Sequence, residues 1–313
     1  MLRHRIWLLA GVVITASAFV LWMSLNGLIH GWLADLPVKL ASKPVTVTNV
    51  CGQAAKPPTH YDHVIWITEE NKALGQVIGS QNAPFISSLA KQCGYSVKFT
   101  DNEPRPAWSL GYHSMSHYLA GVAGSNCVTG NNRQGTGCLT NDAIKPAKDS
   151  LPTESIFQQL NTAGLSWKSY QESAPRNCSL TNHGLYAARH DAALFFSAVR
   201  PDCQTADVTI PTLANGQNTP SGQFIDDITR NALPTFSFVT PNLNNDMHNG
   251  SVKLGDAWLQ AYLEPLFRSA DYQSGRVAVF VIWDEAPHAN QTLPNLVIAP
   301  VNLWFFRTPC LSL

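Results

Sequence analysis

Short runs of apolar residues, separated by segments with helical spacing, constrain the fold of this chain more than any other feature. The runs read HVIWIT (His63–Thr68), TFSFV (Thr235–Val239) and VAVFVIW (Val277–Trp283), and Leu296–Ala299 is a shorter one. Runs of this length with polar flanks are typical of buried strands. The segments with helical spacing are Ala83–Cys93, Thr153–Ala163 and Asp256–Phe267. This alternation predicts an α/β fold in which helices cover both faces of a mostly parallel sheet.

Carboxylate and amide side chains follow three of these strands. Glu70 and Asn71 follow the first, Asp246 comes shortly after the second, and Asp284 and Glu285 follow the third. In parallel sheets, sites form outside the carboxyl ends of the strands. Oxygen ligands of this kind suit a divalent cation such as Mg²⁺, Ca²⁺ or Mn²⁺. The pattern predicts a metal site at this edge, while solvated strand ends without a ligand remain the alternative at this point.

Hydroxyl and imidazole groups supply further candidates for chemistry. The segment GYHSMSHYLA (Gly111–Ala120) contains two His and two Ser. A serine there could act as a nucleophile if a metal lowered the pKa of its hydroxyl. His190 and His248 could bind a phosphate oxygen or protonate a leaving alkoxide. Each of these residues could instead be structural, and residue types alone do not decide between the two readings.

Composition and missing motifs exclude several classes of function. The chain has 21 Lys and Arg against 21 Asp and Glu, so no basic excess points to nucleic acid. The absence of a GxSxG motif argues against an α/β-hydrolase. The absence of GxxxxGK[ST] and GxGxxG motifs argues against nucleotide-driven chemistry.

The N-terminus predicts export across a membrane. Arg3 and Arg5 precede residues 6–29, which carry no charge. At about 1.5 Å per residue this stretch would form a helix long enough to cross a bilayer core of roughly 30 Å. Because the arginines come first, the N-terminus should stay cytoplasmic and the rest should be extracytoplasmic. A cleaved signal peptide is the alternative, with a small-residue site at Ala16-Ser17-Ala18. Residues 31–60 resemble a linker.

Seven cysteines agree with an exported protein, because their spacing fits no thiolate metal site. Proximity in sequence predicts the disulfides Cys127–Cys138 and Cys178–Cys203, and the odd count leaves one thiol, for which Cys310 is the candidate.

Several segments occur together in an order that resembles a known family. In chain order they are HVIWITEENKALGQVIG, APFISSLA, HSMSHYLAGVAG, GLSWKSYQES, YAARHDAALFF, PTFSFVTPNLNNDMHNGSVKLGDAWL and VIWDE. The series, over about residues 61–300, resembles the bacterial phosphoesterase family that contains secreted acid phosphatases and phospholipase C-type enzymes. It is especially similar to the secreted acid phosphatases of actinobacteria such as mycobacteria. The resemblance implies that residues 61–313 form a phosphoesterase domain with an alkaline-phosphatase-like α/β/α sandwich.

The resemblance also implies a set of site residues and an activity, the metal-assisted hydrolysis of phosphomonoesters. The implied metal ligands are Glu70, Asn71, Asp284 and Glu285, for a divalent cation of unknown identity. The implied catalytic residues are Ser114 as nucleophile, His190 and His248 near the phosphate, and Asp246. A phospholipid or phosphoinositide is a candidate substrate. A phospholipase C-type phosphodiesterase or a catalytically impaired phosphate-binding module is the alternative function.

This chain departs from the family at several positions. Tyr112-His113 and Ser116-His117 stand where the family has His-Pro and Pro-Asn around the serine, and Asn249 replaces an Asp. The sequence stops at VNLWFFRTPCLSL, where the family continues with further chain. We therefore expect a C-terminally short form of the fold.

Overall fold

A computed structural model describes residues 49–52, 56–100, 113–124, 142, 144–214, 217–288 and 290–301. The predicted membrane or signal segment, most of the linker, the pair Cys127–Cys138, Cys310 and the tail after Val301 lie outside the described residues. Among the helices within these ranges, none combines the length and the apolar character needed to cross a membrane.

A seven-stranded sheet organises the described part of the chain. Its strands are β1 (His63–Glu69), β2 (Gly94–Tyr95), β3 (Trp167–Glu172), β4 (Asp207–Ile210), β5 (Phe236–Thr240), β6 (Val277–Trp283) and β7 (Leu296–Ile298). They lie in the order β2-β7-β6-β1-β5-β3-β4. Neighbouring strands from β6 to β4 are parallel, and β7 is antiparallel to both β6 and β2. The predicted α/β fold with a mostly parallel sheet is confirmed.

The α-helices in the described residues are α1 (Leu74–Val77), α2 (Pro84–Gln92), α3 (Ser114–Ala123), α4 (Ile156–Thr162), α5 (Cys203–Ala206), α6 (Gln223–Thr229), α7 (Val252–Arg268) and α8 (Ala270–Gln273). Of these, α2, α4 and α7 lie in the predicted segments with shifted ends, and the other five were not predicted. Helix α4 starts three residues after the predicted Thr153, and Ser155 is its N-cap residue. Helix α7 starts four residues before the predicted Asp256 and continues past Pro265.

Helices cover both faces of the sheet, because side chains alternate between the faces along each strand. On β1, Ile65 and Ile67 belong to a core that includes the buried face of α7, such as Trp258. Val64 and Trp66 pack against a second core, which includes Phe157 of α4. The described chain is therefore a three-layer α/β/α structure with one apolar core on each side of the sheet.

Parallel pairing brings three strand ends to one edge. Strand β1 lies between β5 and β6. Beyond the strands, the Asp284 N–H donates to the Glu69 carbonyl (3.1 Å), and the Glu70 N–H donates to the Asp246 carbonyl (2.8 Å). These backbone bonds hold the polar segments that follow β1, β5 and β6 against one another.

Two disulfides lie within the described residues. Cys178–Cys203, with a Cα–Cα distance of 5.4 Å, confirms the prediction. Cys51–Cys93, with a Cα–Cα distance of 5.3 Å, links residues 42 positions apart and was not predicted. Pairing by sequence proximity fails here because the fold, not the chain, brings the end of α2 next to Cys51.

The second core should be sensitive to truncation at Phe157, which is fully buried against the rings of Trp167, Phe236 and Phe238. We expect Phe157→Ala to lower the free energy of unfolding by about 3–5 kcal/mol, through lost burial and a cavity. Leu165→Ala, at a site that is 45% exposed, should change it by less than about 0.5 kcal/mol. Urea unfolding measures both, and equal effects would contradict this account of the core.

The contact between α7 and α2 should depend on pH. The buried Asp256 carboxylate accepts the N–H groups of Phe85 (3.2 Å) and Ile86 (2.8 Å). Burial raises the pKa of Asp256 to about 6, although these two donors lower it. The folded state therefore holds this proton more tightly than the unfolded state. Asp256 thus contributes stability that is complete below its ordinary pKa of 3.8 and is lost as the pH rises through about 6.

Urea unfolding of the wild type and Asp256→Asn at pH 4 and pH 7 checks this expectation. The free energy of unfolding should fall more between the two pH values in the wild type than in the variant. The same fall in both proteins would show that another group is responsible.

Candidate active site

Glu70 lies at the centre of the polar groups at the sheet edge. It directly follows β1 and is fully buried. Its Oε2 accepts hydrogen bonds from Ser114 Oγ (2.9 Å) and from Asn71 Nδ2 (3.2 Å). Its Oε1 lies 3.3 Å from His190 Nε2. One carboxylate therefore connects the predicted nucleophile with a predicted phosphate-binding histidine.

Asp246 and His190 complete a compact cluster with Glu70. His190 Nδ1 lies 3.7 Å from Asp246 Oδ2, and the other carboxylate oxygen, Oδ1, accepts the His248 N–H (2.7 Å). One ligand atom from each of Glu70, His190 and Asp246 lies within 4.8 Å of the other two. The His190 ring stacks on Tyr118 of α3, with ring centroids 4.8 Å apart, and this contact orients the imidazole.

Burial controls the protonation of this cluster. It raises the pKa of Glu70 and that of Asp246 well above their ordinary values, and the charge of Asp284 adds to both shifts. Burial also holds the pKa of His190 well below its ordinary value, and the nearby Arg189 and His248 lower it further. Without a cation, the carboxylates therefore tend to hold protons, and His190 is a neutral imidazole that can act as a ligand.

The buried atoms of the cluster fit a bound cation. Glu70 Oε1, Asp246 Oδ2 and Asp284 Oδ2 are inaccessible to solvent and accept no hydrogen bond, and His190 Nε2 also makes none. Buried polar atoms without partners are costly, and coordination of a metal is one way to satisfy several of them together. Carboxylate oxygens with one imidazole nitrogen are a donor set that suits several divalent metals. These residues could therefore hold a divalent cation.

The four residues predicted as metal ligands do not all lie equally close to this cluster. Asp284 Oδ1 accepts the Asn71 N–H (3.2 Å), which holds Asp284 beside Glu70. The Asn71 side chain donates to Glu70, and the Glu285 carboxylate lies 3.8 Å from His117 Nδ1. The predicted assignment to Glu70, Asn71, Asp284 and Glu285 stays a prediction, while the compact group of potential ligands is Glu70, His190 and Asp246.

Ser114 has a position that suits a nucleophile. It is the first residue of the ten-residue helix α3, and its side chain is buried and directed at Glu70. Backbone N–H groups and the positive end of the helix dipole favour an anion at such a terminus. The geometry is therefore compatible with a phosphate group placed between Ser114 and the carboxylate cluster.

The Arg189 guanidinium forms the cationic side of the site, and His248 lies beside it. Arg189 Nη2 lies 3.5 Å from His248 Nε2, and Arg189 Nε lies 3.5 Å from Asp142 Oδ2. The His190 and His248 rings are 6.2 Å apart. Direct contacts thus link seven of the eight predicted site residues into one chain, and the eighth, Glu285, directly follows Asp284.

Tyr118 and Lys72 are site residues that the sequence analysis missed. Tyr118 lies four residues after Ser114, so helical spacing alone puts both side chains on one face of α3 and could have indicated it. Lys72 Nζ donates to the Met247 carbonyl (2.8 Å), which joins the segment after β1 to the segment after β5. No local sequence signal indicates that contact, because its partners are 175 residues apart.

Known proteins with similar sequences define the class of the chain. A profile of the Phosphoesterase family matches residues 109–288. A phosphatidylinositol-3-phosphatase of Mycobacterium tuberculosis is 30% identical over 236 residues, which cover 75% of this chain and 67% of that protein. A phosphate-repressible acid phosphatase of Penicillium chrysogenum is 24% identical, and the match covers 81% of this chain and 53% of that protein. A solved structure from the alkaline phosphatase superfamily, from Vibrio parahaemolyticus, has a TM-score of 0.47 at 13% identity and covers 81% of this chain and 63% of that chain.

The chain belongs to the Phosphoesterase family, as the resemblance implied. The family and the names of these relatives also confirm the predicted class, a phosphoric monoester hydrolase. The matched region spans about two thirds of the mycobacterial relative and about half of the fungal one.

The cluster predicts that Glu70 contributes to cation binding. We expect Glu70→Gln to bind Mn²⁺ or Zn²⁺ at least about tenfold more weakly than the wild type, since losing even an outer partner of a metal ligand costs about 10–100-fold in affinity. Isothermal titration calorimetry on the purified chain measures this. Asp227→Asn is the control, because Asp227 is a buried carboxylate in a separate hydrogen-bonded group with Lys168 and Tyr170. Equal affinity in the wild type and Glu70→Gln would contradict a site centred on Glu70.

Proposed function

We propose that this chain is an exported, metal-dependent acid phosphatase that hydrolyses phosphomonoesters through Ser114. The observation that carries the proposal is the 2.9 Å hydrogen bond from Ser114 Oγ to Glu70, the residue at the centre of the Glu70–His190–Asp246 cluster. A serine in contact with a potential metal ligand, at the start of a helix, matches what nucleophilic attack on a phosphate requires. The acid phosphatases among the similar proteins support the same activity.

Glu70, His190 and Asp246, with Asp284 beside them, would hold the cation. When bound, the cation would neutralise charge on the phosphoryl oxygens and lower the pKa of the Ser114 hydroxyl. The Ser114 proton would pass to Glu70 Oε2, which already accepts its hydrogen bond. Ser114 Oγ would form a bond to phosphorus as the ester oxygen leaves and takes up a proton. Water would then hydrolyse the phosphoserine, releasing phosphate and restoring the hydroxyl.

The substrate phosphate would bind between Ser114 and the cationic side of the site. The positive end of the α3 dipole would favour a phosphate group at Ser114, and the Arg189 guanidinium, which donates to His248 Nε2, would supply charge-assisted donors. His248, which is less enclosed than His190, is the candidate donor of the proton to the leaving group. A positively charged site of this kind would favour a dianionic terminal phosphate over a diester, which carries one negative charge less.

A phosphoinositide is the candidate substrate that a specific observation favours. The mycobacterial relative is named a phosphatidylinositol-3-phosphatase. The proposed location is extracytoplasmic, with residues 6–29 as a membrane anchor or cleaved signal, and this places the domain where a lipid headgroup could be reached. Two disulfides among the described residues agree with an oxidising compartment.

The proposed mechanism predicts that activity needs both the metal and the Ser114 hydroxyl. We expect chelation to abolish hydrolysis of an aryl phosphate and added divalent cation to restore it. Ser114→Ala should lower kcat by at least about 10³-fold, since removing a covalent nucleophile leaves only residual catalysis. Rates at several pH values, with Mg²⁺, Mn²⁺, Ca²⁺ and Zn²⁺ added separately, measure both effects.

Ser116→Ala is the matched control for this experiment. Ser116 is buried in the same helix, but its hydroxyl donates to the His113 carbonyl (2.8 Å) and not to Glu70. Its replacement should leave kcat within a few-fold of the wild type. Activity that survives both chelation and Ser114→Ala would overturn the mechanism. A panel with phosphoinositides and phosphodiesters distinguishes a monoesterase from a phospholipase C-type diesterase, and phosphate binding without any turnover would indicate a binding module.

A further inference from the structure

Glu172 is a buried carboxylate that the proposed reaction does not use. It is the last residue of β3 and is 1% exposed. Its Oε1 accepts the Leu213 N–H (2.6 Å) and the Asn245 side-chain Nδ2–H (2.8 Å), and its Oε2 accepts the Asn242 N–H (2.8 Å). One side chain therefore joins three consecutive segments at the site edge of the sheet, those that follow β3, β4 and β5.

The segment after β5 carries two of the site residues, Asp246 and His248, and has no regular secondary structure. Its turn is organised by Asn242, whose side-chain oxygen accepts the N–H groups of Asn244 (3.0 Å) and Asn245 (3.1 Å). The Asn242 carbonyl also accepts the Asp246 N–H (2.8 Å). Glu172 contacts Asn242 and Asn245 in this segment, and both residues help to fix the backbone position of Asp246.

The same segment is fixed in a conformation that it would not readily keep alone. Met247, between Asp246 and His248, has a φ of +75°, which is uncommon for a residue with a side chain. Gly255 of α7 leaves room for it, because a Cβ on Gly255 would lie 2.4 Å from Met247 Cε. Such backbone conformations persist where surrounding contacts determine them fully. Lys72 holds the Met247 carbonyl, and Glu172 holds the preceding asparagines.

We propose that Glu172 is a positioning residue that sets the segment after β5, and with it Asp246, in the geometry that binds the cation. The effect of Glu172 on cation binding rests on the proposed function, whereas its effect on the conformation of the segment after β5 does not. Loss of the carboxylate would leave the Asn242, Asn245 and Leu213 donors without their common acceptor. The segment would then sample other conformations, and Asp246 would spend less time beside Glu70 and His190.

Asp227 provides a matched control for the loss of a buried carboxylate. It is 5% exposed and accepts three hydrogen bonds, from Lys168 (2.5 Å), Tyr170 (2.6 Å) and Gln223 (2.7 Å). Lys168 and Tyr170 lie on β3, Gln223 lies on α6, and none of the three is a proposed site residue. Asp227→Asn should therefore reduce stability without moving the segment after β5.

The experiment compares Glu172→Gln with Asp227→Asn in the full chain, first by hydrogen–deuterium exchange. In Glu172→Gln, the amides of Asn242, Asp246, His248 and Asn249 should exchange at least about tenfold faster than in the wild type, while in Asp227→Asn they should not. This readout does not require a metal or an activity. Unchanged exchange in Glu172→Gln, or equal acceleration in both variants, would overturn the proposal.

The second measurement is Mn²⁺ affinity by titration calorimetry, which should fall about 10–100-fold in Glu172→Gln and less than about threefold in Asp227→Asn. Normal Mn²⁺ binding in Glu172→Gln, despite faster exchange, would overturn the link to the cation site. A wild type that binds neither Mn²⁺ nor Zn²⁺ would refute the metal site of the proposed function, and the exchange result would still decide the role of Glu172.

Asn245→Ala keeps the proposal testable if Glu172→Gln does not fold. It removes one loop-side partner and keeps the carboxylate and its two backbone donors. It should accelerate exchange of the same amides by less than the roughly tenfold expected for Glu172→Gln. Where both single variants fold, the double variant should show less than the sum of their two effects. Full additivity, or no change in Asn245→Ala, would count against positioning through this contact.

Discussion

The burial of several carboxylates beside one another is the constraint on which the rest of this site depends. Glu70, Asp246 and Asp284 are all buried, and beside burial the charge of Asp284 raises the pKa of both Glu70 and Asp246. A protein keeps such a group only if protons, hydrogen-bond donors or a cation compensate the cost. Ser114, Asn71 and the backbone supply some donors, yet one oxygen on each of the three carboxylates has none.

The sheet can hold these buried carboxylates together because apolar cores pack on both of its faces. Strands β5, β1 and β6 lie between two apolar cores, so their ends cannot move apart without exposing buried side chains. Backbone hydrogen bonds beyond the strands extend this rigidity to Glu70 and Asp284. The segment after β5 takes part through the bond from the Glu70 N–H to the Asp246 carbonyl, and side-chain contacts from Glu172 and Lys72 hold it further. The packed strands and the hydrogen bonds to the segment after β5 thus hold the cluster together.

Several strands and the location of the candidate site could be predicted from the sequence, and the structure shows why. The strongest strands, β1 and β6, are continuous apolar runs because they are buried on both faces. Strand β3 was missed because its sequence, WKSYQE, contains polar residues that are buried in hydrogen-bonded groups and therefore show no apolar run. Glu70, Asp246 and Asp284 each follow a different strand. Because the strands were predicted to be parallel, these three residues were expected at one edge of the sheet.

The sequence by itself determined the α/β class, the family and the edge at which the polar residues gather, since these depend on local patterns and on motif order. The tertiary structure decided which of those residues meet. Glu70 and His190 are 120 positions apart, and no spacing rule connects them, yet their side chains lie 3.3 Å apart. Adjacent residues such as Asp284 and Glu285 diverge, one toward Glu70 and the other toward His117, because consecutive side chains point in different directions. Contacts between distant segments form only when the cores on both faces of the sheet pack, and for that reason the pattern of the chain could not reveal them.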